Sequence, residues 1–210
     1  EDSLKLIIKD YELNYAGRTD AGVHARSQIL SLKTTQNLNP SFFKSLDSVL
    51  GDEIKIKKFQ KVKNSFHPRF DAKSRVYKYF LQGNDKGTPY NRNYRYLVRT
   101  PIELSQLKSI EKIFVGKKNY KNYSKLRNGQ DPYREISKSE WTKSNDYFIY
   151  TIEGSSFLHN MVRSIVGCQL AVLENKITKK ELKESLQQPQ KTRFNFIAPA
   201  HGLYLWKIKY

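Results

Sequence analysis

The chain has 210 residues, of which 38 % are apolar, enough for one substantial domain or two small fused lobes. Lysine and arginine outnumber aspartate and glutamate by 38 to 20, and the net charge of +18 favours a polyanionic partner such as nucleic acid. No apolar run is long enough to span a membrane, so we expect no membrane partner. The single cysteine, Cys168, excludes an internal disulfide and is typical of a cytoplasmic protein.

The first part of the chain predicts short strands and two helices. Asn39 followed by Pro40 is typical of a helix start, because asparagine caps the first turn and proline fits its first position. The spacing of apolar residues separates helices from strands in the rest of this region. In chain order, these patterns predict a helix over 4–11, strands over 12–16 and 27–33, a helix over 40–50 and a half-buried strand over 54–62.

A polar segment, 64–74, separates this region from the next strand, 75–81, where apolar residues again alternate with polar ones. We therefore predict two lobes. The N-terminal lobe, 1–68, includes the loop between the first two strands, and the C-terminal lobe comprises 69–210.

The second lobe predicts helices and hairpins in alternation. Thr178 and Glu181 form a capping box, which predicts the start of a helix. In chain order, we predict a helix over 107–114, an irregular basic stretch over 117–132, a hairpin of strands 134–143 and 147–153, a buried helix over 157–174, the capped helix and a final strand over 202–210. This order predicts an α+β fold with a mixed, mainly antiparallel sheet.

The basic stretch 117–132 combines cations with tyrosines. Lys121, Lys125 and Arg127 stand close to Tyr120 and Tyr123 in the sequence. Flat rings and cations together suit unpaired bases and phosphates. We therefore predict that this stretch is a mobile loop that contacts RNA, although an excess of cations also serves solubility alone.

The histidines and the cysteine predict no metal site. His24, His67, His159 and His201 are scattered along the chain, and no Cys/His spacing of the zinc-finger kind is present. Scattered histidines are more often core or surface residues than ligands, and we leave His24 and His67 out of the catalytic set.

The loop from Gly17 to Ala25 reads GRTDAGVHA and has the composition of a functional site. Its two glycines permit a tight turn and a close backbone approach around Arg18 and Asp20. A purely structural role is equally compatible with the loop taken alone, because aspartate and threonine often hydrogen-bond the backbone of a turn.

These nine residues are very similar to the signature of the TruA family of tRNA pseudouridine synthases, whose nucleophilic aspartate matches Asp20. The resemblance spans essentially the whole chain, and the family pattern has a further strand and the start of a helix ahead of Glu1. Four other segments match in the family's order: 66–70, 75–79, 154–167 and 202–205.

The resemblance also implies roles for individual residues. An ionised carboxylate can attack either C1′ of the nucleotide or C6 of the uracil, which makes Asp20 the nucleophile. Arg163 matches the cation that keeps this carboxylate charged. Tyr77 matches a tyrosine that stacks on uracil and could take the C5 proton, Leu158 an apolar wall of the pocket, and Arg18 the residue that fills the gap left by the flipped uridine.

By the same resemblance, the substrate is the anticodon stem-loop of tRNA, at uridines 38–40, and the enzyme is a cytoplasmic homodimer without cofactor or metal. The implied pseudouridine synthase fold has two α/β lobes that share one sheet, with a basic cleft between them. Two alternatives remain open: a non-catalytic RNA-binding module, and a uridine N-glycoside hydrolase, which would release free uracil.

Overall fold

The computed structural model describes residues 1–83, 86–189 and 194–210. Its helices and strands are α1 (Asp2–Lys5), β1 (Glu12–Tyr15), β2 (His24–Ala25), β3 (Leu30–Lys33), α2 (Pro40–Val49), β4 (Ser74–Gly83), β5 (Tyr96–Val98), α3 (Leu104–Glu111), β6 (Gly116–Asn119), β7 (Tyr133–Ser144), β8 (Tyr147–Gly154), α4 (Met161–Leu173), α5 (Lys179–Gln187) and β9 (Leu203–Lys209).

The chain forms two compact units. One comprises Glu1–Gly17 and Ile29–Asp71, and the other comprises Arg18–Gln28 and Ala72–Tyr210. The loop that carries Asp20 is therefore part of the larger unit, whereas the sequence-based division placed it in the N-terminal lobe. Chain continuity suggested that division, but the loop packs with residues far away in the sequence.

The smaller unit is a two-stranded antiparallel sheet, β1 with β3, accompanied by α1 and α2. The predicted start of α2 is confirmed, because the Asn39 side chain accepts a hydrogen bond from the Phe42 backbone N–H at 3.0 Å. Leu4 and Ile8, from the chain start, pack with Leu46 of α2 in a small core.

The strand predicted over 54–62 is wrong. Three of its apolar side chains, Ile54, Phe59 and Val62, remain 41–56 % exposed. Alternation alone does not supply a neighbouring strand for the backbone hydrogen bonds. The segment is held instead by α2, where Asp47 accepts the Ile56 N–H at 2.9 Å and also pairs with Lys55.

The larger unit contains a seven-stranded sheet in the order β2-β9-β4-β8-β7-β6, with β5 paired to β4. The pairs β2/β9 and β4/β5 are parallel, and all the others are antiparallel. The α+β class with a mixed, mainly antiparallel sheet is thus confirmed. No helix among the described residues is long and apolar enough to cross a membrane.

The main core lies between one face of this sheet and α4, which is buried along almost its whole length. Tyr120 and Tyr123 belong to this core, with no exposed surface, and their hydroxyls contact the Phe114 carbonyl and the Ser185 hydroxyl. These two rings therefore serve the core, and the predicted contact of the stretch with RNA depends on its other residues. The stretch 117–132 is also partly regular, because β6 pairs with β7.

A buried hydrogen bond connects the sheet to α4. The indole N–H of Trp141 on β7 donates to Oε1 of Gln169 on α4 at 2.8 Å, and both residues are fully buried. Water cannot replace either partner there, so the bond must be kept for the helix to dock on the sheet.

We expect Gln169→Leu to lower the free energy of unfolding by about 1–3 kcal/mol, because the indole N–H would be left without an acceptor. Urea denaturation measures this change. The same substitution at the exposed Gln187, at the end of α5, is the control and should change stability by less than about 0.5 kcal/mol. Equal effects at both positions would contradict a structural role for the buried bond.

Candidate active site

The loop that carries Asp20 is a tight turn. The Asp20 carbonyl accepts the Val23 N–H at 3.0 Å, and the intervening Gly22 has a φ of +78°. Positive φ at this position is typical of a type II turn, which favours glycine. A side chain at Gly22 would also meet Ala200 at 3.4 Å, so the second glycine of the motif serves both conformation and packing.

The residues after the turn attach the loop to the sheet. β2 pairs with β9 in parallel, and the ring of His24 stacks between Tyr94 and Tyr204 at centroid distances of 5.3 and 4.6 Å. Nε2 of His24 lies 3.0 Å from the Asn93 carbonyl. His24 therefore fixes the end of the loop by packing against Tyr94 and Tyr204.

The Asp20 carboxylate pairs with Arg163, as predicted for an arginine that accompanies the nucleophile. Nη1 of Arg163 lies 3.0 Å from Oδ2 of Asp20, and their side chains are 19 % and 23 % exposed. Partial burial reduces the screening of this attraction by water. The carboxylate is thus oriented by the arginine and still reaches the surface.

Arg163 is itself fixed by a segment that crosses α4, here called the strap, residues 194–202. The Nε of Arg163 donates to the Ala198 carbonyl at 2.8 Å, and the Arg163 carbonyl accepts the Ala198 N–H at 3.1 Å. The strap approaches the helix at Gly167, where a Cβ would lie 2.5 Å from the Phe196 carbonyl oxygen. Only glycine permits that approach, so the matched Gly167 is needed to hold the arginine in place.

The start of α4 differs from the prediction. The helix begins at Met161 rather than Phe157, because residues 158–161 form a turn in which the Leu158 carbonyl accepts the Met161 N–H at 3.1 Å. Asn160 has a φ of +61°, a conformation that asparagine tolerates better than most residues. Its side chain accepts a second hydrogen bond from Nη1 of Arg163, at 3.1 Å.

The same turn brings His159 to the site, a residue that the sequence analysis left out. Its Nε2 lies 3.3 Å from Oδ1 of Asp20, the oxygen that Arg163 does not hold. The imidazole is 57 % exposed. In the sequence, the only indication that His159 lies near the site is its position four residues before Arg163. The predicted helix over 157–174 did not include the turn that brings His159 to Asp20.

Tyr77 lies on β4 beside the carboxylate. Its ring meets Phe157 edge-on at 5.0 Å and packs against the main core. Burial raises the pKa of Tyr77 to about 12, the negative charge of Asp20 adds to the rise, and Arg75 opposes it. A bulge in β9, at Trp206, lies opposite the junction between Val76 and Tyr77, and bulges commonly adjust the aim of side chains beside active sites.

The other predicted site residues fall in two groups. Leu158 is buried at 5 % exposure in the turn next to His159, and Arg18 is exposed two residues before Asp20. Lys121, Lys125 and Arg127 are exposed on and after the short 3₁₀ helix Lys121–Tyr123, and no described hydrogen bond or ion pair connects them to Asp20. Within the described ranges, no group of three or more His, Cys, Asp or Glu side chains could hold a metal ion.

Comparison with known proteins gives the family. A sequence model described as tRNA pseudouridine synthase matches residues 110–210. The chain is 36 % identical to tRNA pseudouridine synthase A of Dictyoglomus thermophilum over 214 aligned positions, which cover 100 % of this chain and 87 % of that protein. It is 32 % identical to tRNA pseudouridine synthase A of Borreliella afzelii, with 99 % of this chain and 85 % of that protein covered. With the matched residues at the Asp20 site, this similarity along the whole chain places the protein in the tRNA pseudouridine synthase A family.

Proposed function

We propose that this enzyme isomerises uridine to pseudouridine in the anticodon stem-loop of tRNA, at positions 38–40, with Asp20 as the nucleophile. The observation that carries the proposal is the Asp20 carboxylate, held on a glycine turn and paired at 3.0 Å with an arginine that is anchored on both sides. Pseudouridine synthases are isomerases, and the family relationship supports tRNA as the substrate class. By the same resemblance, we propose a cytoplasmic homodimer.

The geometry suits covalent catalysis by a carboxylate. If Asp20 attacks C1′, the bond from C1′ to N1 breaks and its electrons stay on the uracil. The base turns, C5 bonds to C1′, and the carboxylate recovers its electron pair before C5 loses its proton. If Asp20 attacks C6 instead, it stays bonded to the base while the bond from C1′ to N1 breaks, the base turns and C5 bonds to C1′. The bond from Asp20 to C6 then breaks as C5 loses its proton, and its electron pair returns to the carboxylate. In both cases Arg163 stabilises the carboxylate whenever it is charged.

The surroundings of Tyr77 suit contact with a neutral base. Its ring contacts the ring of Phe157, the residue before Leu158. Its pKa of about 12 keeps the hydroxyl neutral at physiological pH. As the acceptor of the C5 proton, Tyr77 must therefore pass on its own proton in the same step, and its ring and hydroxyl can be tested separately.

Asp20→Asn should abolish isomerisation while the protein stays folded and binds tRNA, because the amide is nearly isosteric but not nucleophilic. The measurement is tritium release from tRNA that carries [5-³H]uridine, together with filter binding. Asp146→Asn, at the exposed turn between β7 and β8, is the matched control and should keep full activity. Substantial turnover by Asp20→Asn would exclude Asp20 as the nucleophile, and free uracil from the wild-type enzyme would indicate a hydrolase.

Tyr77→Phe should leave tRNA binding nearly unchanged and slow single-turnover tritium release by about 10²- to 10⁴-fold, the usual contribution of a general base. Tyr77→Leu should be slower still, because it also loses the ring. Tyr147→Phe removes a hydroxyl from the neighbouring strand β8 and serves as the control. Near-normal release by Tyr77→Phe would reduce Tyr77 to a wall of the uracil pocket.

We expect tRNA affinity to fall steeply with salt, because phosphate contacts release bound counterions. Replacing Lys121, Lys125 and Arg127 by alanine should flatten the dependence of log K on log salt by about 0.7–0.9 for each phosphate that is no longer neutralised. Removing the exposed Lys5, Lys9 and Lys33 is the control for charge alone. If both triple variants give the same slope in filter binding, the stretch after β6 is not an RNA surface.

A further inference from the structure

The two oxygens of the Asp20 carboxylate have different partners. Oδ2 faces Arg163, which is always charged and is fixed by the Ala198 carbonyl and the Asn160 side chain. Oδ1 faces His159, whose Nε2 is 3.3 Å away. One oxygen is thus held by a permanent, anchored cation, and the other by a residue whose charge changes with pH.

The two partners also differ in exposure. The Arg163 side chain is 19 % exposed and makes three polar contacts, whereas the His159 side chain is 57 % exposed. The residues on either side of His159 in the turn, Leu158 and Met161, are buried at 5 % and 0 % exposure. The imidazole thus has solvent-side space to rotate, while the turn that carries it is packed into the core.

This asymmetry matters because a contact with a cation draws on an oxygen's electron density and makes that oxygen a weaker nucleophile. The contact of Oδ2 is with an anchored, permanent cation, while the contact of Oδ1 is with an exposed side chain that can rotate away. The ionisable groups that face this pair are Asp20 itself from the loop, Arg163 from α4 and Tyr77 from β4.

We propose that His159 is a positioning residue for the isomerisation: it holds Oδ1 of Asp20 before uridine enters and, as a neutral imidazole, releases this oxygen for the attack. Oδ1 then forms the bond to carbon, the displaced electron pair moves into the uracil, and Oδ2 stays on Arg163. When the carbon–oxygen bond breaks, its electron pair returns to Oδ1. As an imidazolium, His159 holds Oδ1 more strongly, because the positive charge attracts the carboxylate in addition to the N–H contact. The charged form therefore opposes the attack.

The inference rests on the proposed function of Asp20, and the test separates the two. Single-turnover tritium release is measured with saturating enzyme from about pH 5.5 to 8.5, the range in which histidine ordinarily changes charge. The wild-type rate should fall on the acid side. His159→Gln keeps a polar donor that does not titrate, so its acid decline should move to lower pH, with a rate near that of the wild type at pH 8.

His159→Ala removes the contact at Oδ1 without replacement, and we expect a rate about 3- to 30-fold below the wild type at pH 8, because a carboxylate held only through Oδ2 spends less time in the reactive orientation. Glutamine should recover most of that loss. His67→Gln is the control: His67 lies in the smaller unit, where its Nδ1 accepts the backbone N–H groups of Arg69 and Phe70, and its replacement should leave the acid decline unchanged.

Two results would overturn the proposal. One is an acid decline in His159→Gln identical to that of the wild type. The other is a loss of tRNA affinity in His159→Ala as large as the loss of rate, which would assign His159 to the RNA surface instead. Neither result affects the conclusion from Asp20→Asn, which fails only if that variant turns over.

Discussion

The ion pair between Asp20 and Arg163 is the interaction on which the rest of the site depends. The two residues are 143 positions apart in the sequence, so the fold must bring a loop and a helix together to form it. On one side, the glycine turn and β2 attach the loop to β9 of the sheet. On the other, the strap fixes the guanidinium through the Ala198 carbonyl. The pair is a consequence of the packing of the whole larger unit around α4.

The site places two different environments side by side. The carboxylate of Asp20 faces a permanent cation, while burial and the charge of that carboxylate raise the pKa of the Tyr77 hydroxyl to about 12. One side of the site is therefore polar and anchored, and the other is the apolar wall of Tyr77 and Phe157.

The partial exposure of the Asp20 carboxylate also matters for the site. A fully buried carboxylate would be costly to keep charged, and a fully exposed one would be mobile and screened. At 23 % exposure, Asp20 is oriented by Arg163 and still open to a nucleotide. The turn before α4 adds His159, whose imidazole is 57 % exposed, on the other oxygen of Asp20. The same loop-and-turn arrangement thus supplies both an anchored and an exposed partner of the carboxylate.

The sequence by itself determined the features that depend on local chemistry. Asn39 and Thr178 as helix caps, the hairpin of β7 and β8, the α+β class and the nine-residue Asp20 motif follow from short-range patterns or from resemblance. Only the tertiary structure decided which surfaces meet. In the folded chain Tyr120 and Tyr123 are buried, the segment 54–62 has no partner strand, and His159 contacts Oδ1 of Asp20. These outcomes depend on contacts between distant residues and on one positive φ at Asn160, neither of which residue spacing encodes.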